Sequence, residues 1–547
     1  MAQERSESPR TTEYRGHPRL AFRLLLAAYA LYAALFIFRT SYRVDGERYF
    51  SLFDDEMISM RYAFNLVHGA GLVWNPGGER VEGYSNPAWV LLMAGAHLLP
   101  LPQSKVSVVI QICGALFLLV SLFHVKAIAE LLGRSAVAAW GAALLTAAYL
   151  PLANWGLQGT EVSALTLIVT SATRLAMRAL RARELRLAPY LLLGLGTLIR
   201  LDMLVPALAM LLFLGIADRD HRIRHLVVGA AILASVLLAQ TVFRLAYYGD
   251  VLPNPYYLKL TGYPVSARIA RGVAVTWLFI SRVNPVAFLV PLAVLVWRRD
   301  RCVLLLFWLF GVQMLYSIYV GGDAWEWWGG SNRFVCIVMP LYFVLYAYAL
   351  WELTARLVGR VRAAAPRRLD HQRRLFVVLL CIAMVNINDI HDGALHEWLL
   401  LRRTLNVEAN SKYVRTGLAL RRLTTPDARV AVVWAGATPY FANRPAIDLL
   451  GKNDARVARE DMHRPPDLLT GFYPGHLKWN LAYSIGELEP DVVVPWFQTI
   501  PEPMPFSERY RHVDHDGIQL LLRSDSSKIR WSALPAARSG SGGPPVD

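Results

Sequence analysis

Cysteine is almost absent from this sequence, and the few present exclude two classes of protein. The 547 residues hold four, Cys113, Cys302, Cys336 and Cys381, each inside an apolar run and none in a polar segment. A disulfide framework or a zinc cluster needs cysteines at set spacings in polar loops, so neither is built here. The four read as small buried hydrophobes. Charge is scarce too: Asp, Glu, Lys and Arg make up 18% of the chain against 55% apolar residues, with 16 tryptophans. A string of soluble domains would carry more charge than this. The net charge of +16 is spread through short arginine-bearing loops between apolar runs rather than along one polar face, which argues against nucleic acid as a partner. A cleavable signal is also missing. Arg5, Arg10, Arg15, Arg19 and Arg23 lead into the first apolar run, but Arg39, Tyr42 and Arg43 follow Phe38 where small residues would mark cleavage. The first helix is therefore expected to stay uncleaved, N-terminus inside.

What the chain does have is apolar runs. Crossing a bilayer takes about 20 apolar residues. Long runs cover 20–38, 105–125, 136–153, 161–177, 226–245, 302–320 and 334–351, and shorter ones cover 188–199, 203–217, 284–297 and 375–388. Residues 87–101 are apolar as well, but counting them as a span would put the basic loop Arg174–Arg186 outside. Read as a juxtamembrane or re-entrant helix, they leave the arginine-rich loops on the cytoplasmic side, as the positive-inside rule requires. The expectation is an α-helical polytopic membrane protein with about eleven transmembrane helices over residues 1–388.

From about residue 389 the composition becomes that of a soluble domain. Val430–Trp434, Pro445–Leu449, Asp491–Pro495 and Ile518–Leu522 read as strands of an extracytoplasmic α/β domain over 389–530, followed by a disordered tail, 531–547. Gly436, just after the first strand, suits a phosphate-binding turn or an ordinary strand-to-helix turn.

The segments expected outside carry the chemistry, above all the first outer loop, 39–86. Asp54-Asp55-Glu56 comes directly after the first span, followed at helical spacing by Met57, Ile58, Met60, Tyr62, Ala63, Leu66 and Val67. That pattern predicts a surface-lying helix with the acids at its N-terminus. The acids could simply cap it, or they could deprotonate a hydroxyl or hold a metal. Residues 69–87 are turn-rich, with Glu82 and Asn86 either in plain surface turns or reaching sugar hydroxyls from the wall of a polar cavity.

These residues are familiar in order. Asp54-Asp55-x-Met57-Ile58-Ser59-x-Arg61-Tyr62 followed by Gly71-Leu72-Val73-Trp74-Asn75-Pro76-Gly77-Gly78-Glu79-Arg80-Val81-Glu82-Gly83-Tyr84-Ser85-Asn86-Pro87 resembles a bacterial family of membrane glycosyltransferases. These have the GT-C fold and are related to the mycobacterial terminal arabinofuranosyltransferase. Gly156-Leu157-x-x-Thr160-Glu161, Arg200-x-Asp202, Tyr248 to Lys259, Gly321-Gly322-Asp323, Asp448 to Asp454 and Pro474-Gly475-His476-x-Lys478 continue the match. Two departures bear on specificity: Gln158-Gly159 intervene before Thr160-Glu161, and Trp325-Glu326-Trp327-Trp328 is inserted before Arg333.

The resemblance implies transfer of a sugar, arabinofuranose among the candidates, in a bacterial plasma membrane. The donor would be polyprenyl-phosphate-linked, and a glycan or lipid-linked acceptor would receive the sugar on the outer face. It implies Asp55 as general base, with Asp54 orienting the acceptor or assisting a metal. Arg61, Arg200, Lys259 and Arg333 would bind the donor phosphate, and Glu82, Asn86, Asp202, Asp323, His476 and Lys478 would contact substrate. Asp202 is equally well explained as a salt-bridge partner for Arg200, whose guanidinium is costly unpaired between two short spans. Trp325, Trp327 and Trp328 suit sugar stacking or an interfacial belt. No cofactor is demanded; a divalent cation is compatible with the acids, but no convincing ligand set accompanies them. A non-catalytic membrane scaffold of the same fold is the alternative. A transporter is disfavoured because no internal repeat is visible.

Overall fold

The computed structural model describes residues 17–133, 135–324, 326, 332–360, 365–467, 471–496 and 499–534. Arg5, Arg10, Arg15, Trp325, Trp327, Trp328 and the tail from 535 onward lie outside the described residues.

Every apolar run identified above falls on helix. The chain opens with α1 (His17–Thr40), a small antiparallel hairpin of β1 (Tyr42–Val44) and β2 (Glu47–Tyr49), and α2 (Asp54–Val67). Then come α3 (Pro87–His97), α4 (Gln103–Leu132), α5 (Ala136–Ala148), α6 (Leu150–Leu157), α7 (Val162–Ala182), α8 (Ala188–Ile199) and α9 (Leu204–Ala217). Longer helices follow at Ala230–Tyr248, Val265–Val283, Arg301–Val320, Met339–Gly359 and Ala365–Asn386.

Among the described residues, five helices are long and apolar enough to cross a bilayer, and two bent pairs raise that to seven. The other expected spans, 161–177, 188–199, 203–217 and 375–388, also fall on helices, but these are too short or too polar along a full span's length to be counted in the seven. Pro151 starts α6 after a 54° bend, and Pro285 starts a new helical segment after a 99° bend. Proline lacks the N–H that would continue the ladder, so helices restart there. The Val265–Val283 helix is not among the apolar runs, because Arg268, Arg271 and Arg282 interrupt its pattern. The 11 residues of α3 span only about 16 Å, too little to cross.

The C-terminal part is an α/β domain with a five-stranded sheet in the order β4-β3-β5-β7-β6. Strand β3 (Val430–Val432) runs parallel to β4 (Ala446–Asp448) and β5 (Val492–Val493), whereas β7 (Ile518–Arg523) runs antiparallel to β5 and β6 (Tyr510–His515). The four anticipated strands are present. Strand β6 was missed because it is a largely polar edge strand, as exposed edges tend to be. Trp531–Ala533 forms a turn fixed by Trp531 Nε1 donating to the Ser526 carbonyl at 3.1 Å, so the ordered domain extends into the expected tail.

One sheet face, with Val430, Val432, Val492, Leu520 and Leu522, shares an apolar core with Met57, Ile58 and Met60 of α2 and Trp89, Val90 and Met93 of α3. The other face packs on Trp479, Leu481 and Ile485. Burial on both faces explains why these strands read as continuous apolar runs. The shared core also seats the domain on the acidic start of α2.

Candidate active site

Helix α2 has no side-chain cap of its own at Phe53. Asp54 instead caps a helix of the α/β domain, Ala437–Ala442: Oδ1 accepts the N–H of Ala437 at 2.8 Å and Oδ2 that of Gly436 at 3.3 Å. The turn after β3 thus receives a carboxylate of the chain itself. Glycine is needed there, because a Cβ on residue 436 would run into the Asp54 carbonyl. Burial pushes the Asp54 carboxyl up to about 7, with Asp55 adding to the effect against the two N–H donors.

Asp55 faces the other way, toward cations. It lies 3.4 Å from Arg333 Nη1 and 3.5 Å from Lys452 Nζ. Burial alone would raise its pKa, but Lys452, Arg333, Lys259 and His476 outweigh burial and hold it well below the usual carboxylate range. Asp323 grips Arg333 in turn, at 2.7 Å from Nε and 3.0 Å from Nη2. Arg200 is bracketed by Asp202 at 2.7 Å and Glu161 at 3.0 Å. Asn86 donates to Glu56 at 3.2 Å and accepts from Ser59 at 2.8 Å. Glu56 is pushed up by burial and then by neighbouring Glu161.

Lys259, on the helix Asn254–Leu260, differs from these. It makes no ion pair or hydrogen bond among the described residues, and burial followed by Lys452 lowers its pKa to about 8. His476 is lowered to about 4, chiefly by burial.

Asp54, Asp55, Asn86, Arg200, Asp202, Lys259, Asp323, Arg333 and His476 all line one cavity of about 430 Å³. Leu204, Val205 and Leu208 of α9, with Tyr316 and Val320 of the Arg301–Val320 helix, give it an apolar wall.

Three anticipated residues lie elsewhere. Arg61 is buried with its guanidinium spent on backbone and amide oxygens: Trp74 at 2.6 Å, Asn75 at 2.9 Å, Arg444 at 2.6 Å, and the Pro439 carbonyl. It staples the first loop to the α/β domain and does not line the cavity. Glu82 is buried against Arg244 at 2.8 Å, not reaching into open space. Lys478 donates to the Ala458 carbonyl at 2.9 Å and the Tyr257 carbonyl at 3.1 Å, so its ammonium is consumed locally.

Glu56, Glu161 and Lys452 also line the cavity, and all three stood inside recognised motifs with no role assigned. The signal for Lys452 was its setting: Asp448 accepts N–H groups of Leu450, Gly451 and Asn453, fixing the turn that presents it. Among the described residues, no group of three or more His, Cys, Asp or Glu side chains is arranged to hold a metal.

Residues 403–532 match a family described as a domain of unknown function, DUF8728. No curated protein sequence matches the chain. Among solved structures it is similar to ArnT from Cupriavidus metallidurans bound to undecaprenyl phosphate, 13% identical at a TM-score of 0.54, covering 92% of this chain and 98% of that one. The apo state of that ArnT aligns at 12% identity and a TM-score of 0.55 over the same shares. The Archaeoglobus fulgidus oligosaccharyltransferase, tethered with an acceptor peptide containing the NVT sequon, aligns at 14% identity and a TM-score of 0.53 over 92% of this chain and 74% of that one. At such identities the likeness is one of fold. The chain is an α-helical polytopic membrane protein of the GT-C fold with a C-terminal α/β domain.

Proposed function

We propose that this protein is a membrane glycosyltransferase. It moves a sugar from a polyprenyl-phosphate donor to a glycan or lipid-linked acceptor on the outer face of a bacterial plasma membrane. Arabinofuranose as that sugar rests on the motif resemblance alone. The observation that carries the reading is Lys259, a cavity-lining ammonium that makes no ion pair or hydrogen bond among the described residues and lies beside an apolar wall. A charge held out of water without a contact partner is costly, and a lipid phosphate would supply that contact while its chain takes the apolar wall. The fold shared with an ArnT that holds undecaprenyl phosphate supports the same donor class.

In this reading Lys259, Lys452 and Arg333 surround the donor phosphate. The acceptor hydroxyl gives its proton to a carboxylate, its oxygen bonds to the anomeric carbon, and the bond from that carbon to the phosphate oxygen breaks. The released polyprenyl phosphate carries the extra negative charge into the cations. Carboxylates near the ring support the oxocarbenium-like transition state.

The electrostatics favour Asp54 over Asp55 as base. A base works best with a pKa near the working pH, and Asp54 sits at about 7, whereas Asp55 is tied down by its cations. Asp55 then serves to hold Arg333 and Lys452 in place, the reverse of the roles that the motif resemblance suggested.

The test uses purified full-length protein and undecaprenyl phosphate. Wild type is expected to be thermally stabilised by the lipid, and Lys259→Met to need a higher lipid concentration for the same shift. Absence of binding to wild type overturns the reading. Binding with no transfer from any polyprenyl-phosphate sugar leaves the non-catalytic scaffold.

A further inference from the structure

Asp54, Val433, Trp434 and His476 line the cavity described above and also a second, larger one of about 960 Å³ in the α/β domain. The second cavity differs in kind. The first is dominated by carboxylates and the cations that answer them. The second is walled by aromatic rings: Tyr413 and Trp434 stack with centroids 5.8 Å apart at 30°, and Tyr473, Trp479 and Trp496 continue the surface. Its formal charges balance, Lys412 and Arg464 against Asp54 and Glu502.

Such a lining selects among ligands. Flat rings take up the C–H faces of sugars while scattered polar groups meet the hydroxyls. A phosphorylated or acidic chain would call for an excess of cations, and the described lining residues supply none. A lipid tail would leave Lys412, Arg464 and Glu502 facing hydrocarbon. The volume lies at the upper end for small-molecule sites, roughly enough for several sugar rings.

We infer that the aromatic cavity binds a neutral oligosaccharide, whose terminal sugar passes Trp434 to bring one hydroxyl to Asp54. This deepens the proposed transfer and rests on it for the role of Asp54. The sugar cleft itself follows from the lining.

The experiment titrates full-length protein in detergent with linear neutral tetrasaccharides, one of arabinofuranose and one of mannopyranose. Binding is followed by tryptophan fluorescence and calorimetry, with undecaprenyl phosphate titrated in parallel. At least one tetrasaccharide is expected to bind and quench fluorescence. Tyr413→Ala and Trp496→Ala should each weaken it at least tenfold, Tyr413→Phe should keep affinity, and undecaprenyl phosphate should bind all of them alike. If undecaprenyl phosphate binds but neither tetrasaccharide does, the inference falls and the transferase reading stands. Preference for a galacturonate tetrasaccharide, or full affinity in both alanine variants, also overturns it. Tetrasaccharide binding that depends on Tyr413, without undecaprenyl phosphate binding, upholds the cleft and removes the donor reading instead.

Discussion

Asp54 accepts the backbone N–H of Ala437 at 2.8 Å, a bond between groups 383 residues apart in the chain. It makes the acidic start of α2 part of the α/β domain as much as of the membrane part. The same carboxylate borders both cavities. Its position is set by a turn that belongs to neither the spans nor the first loop.

Replacing Asp54 by Asn tests the assignment of the base. An asparagine Oδ1 can still accept from Ala437, so the shorter of the two cap bonds survives while the longer one to Gly436 and the proton acceptor are lost. Transfer should fall roughly 100- to 10,000-fold with undecaprenyl phosphate affinity kept. Since burial raises this carboxyl to about 7, its contribution to folding is present at low pH and lost as pH rises through about 7. The melting temperature of Asp54→Asn at pH 8 should therefore not drop below wild type. Equal transfer by the variant would refute the assignment.

The pH profile follows from two groups. Asp54 must be charged, so kcat/KM should rise with pH through about 7. Lys259 must also be charged, so kcat/KM should fall as pH passes about 8. The result is a narrow bell in the profile of the free enzyme. Lys259→Arg, whose guanidinium stays protonated, should move the alkaline limb upward, which a pH series of initial rates reads directly.

Lys259→Met should weaken undecaprenyl phosphate by about 10- to 100-fold, the scale of a charge-assisted contact. The remaining affinity should become less sensitive to salt. Calorimetry at two ionic strengths checks both expectations.

Gly436→Ala forces a methyl group against the Asp54 carbonyl. Overpacking of that sort costs about 1–3 kcal/mol, and here it also displaces the carboxylate. Both melting temperature and transfer rate should fall, whereas undecaprenyl phosphate should still bind the folded fraction.

Arg61→Met separates stapling from phosphate binding. It strands the Arg444 carbonyl, whereas the Trp74 carbonyl keeps Asn65 Nδ2 and the Pro439 carbonyl keeps the Asn443 N–H. Stability should drop by about 1–3 kcal/mol. Affinity for undecaprenyl phosphate per folded molecule should be unchanged, which a direct phosphate ligand could not satisfy.

The contrast between Arg61 and Lys259 shows what could be read before folding. Both were visible as cations beside motifs, but which one is engaged in hydrogen bonds among the described residues depends on carbonyls far along the chain. Glu82 likewise found Arg244, 162 residues on. Patterns that act locally fared better. Helices were legible because a bilayer demands continuous apolar surface, and strands because both sheet faces are buried. The Val265–Val283 helix was hidden by its arginines, one of which, Arg271, is buried donating to the Gly321 and Asp323 carbonyls. The acidic motif was visible in the sequence, but the different settings of Asp54 and Asp55 were not, since these come from Lys452 and the turn at Gly436.

The α/β domain sitting on α2 also has a consequence in time. Gly436, Ala437, Lys452 and His476 are synthesised after every apolar helix long enough to cross a bilayer among the described residues. A nascent chain can thus insert all of these spans while its cavity still lacks one wall. The cavity closes only when the last quarter of the chain has emerged and docked, so premature termination in that stretch yields an inserted but silent protein.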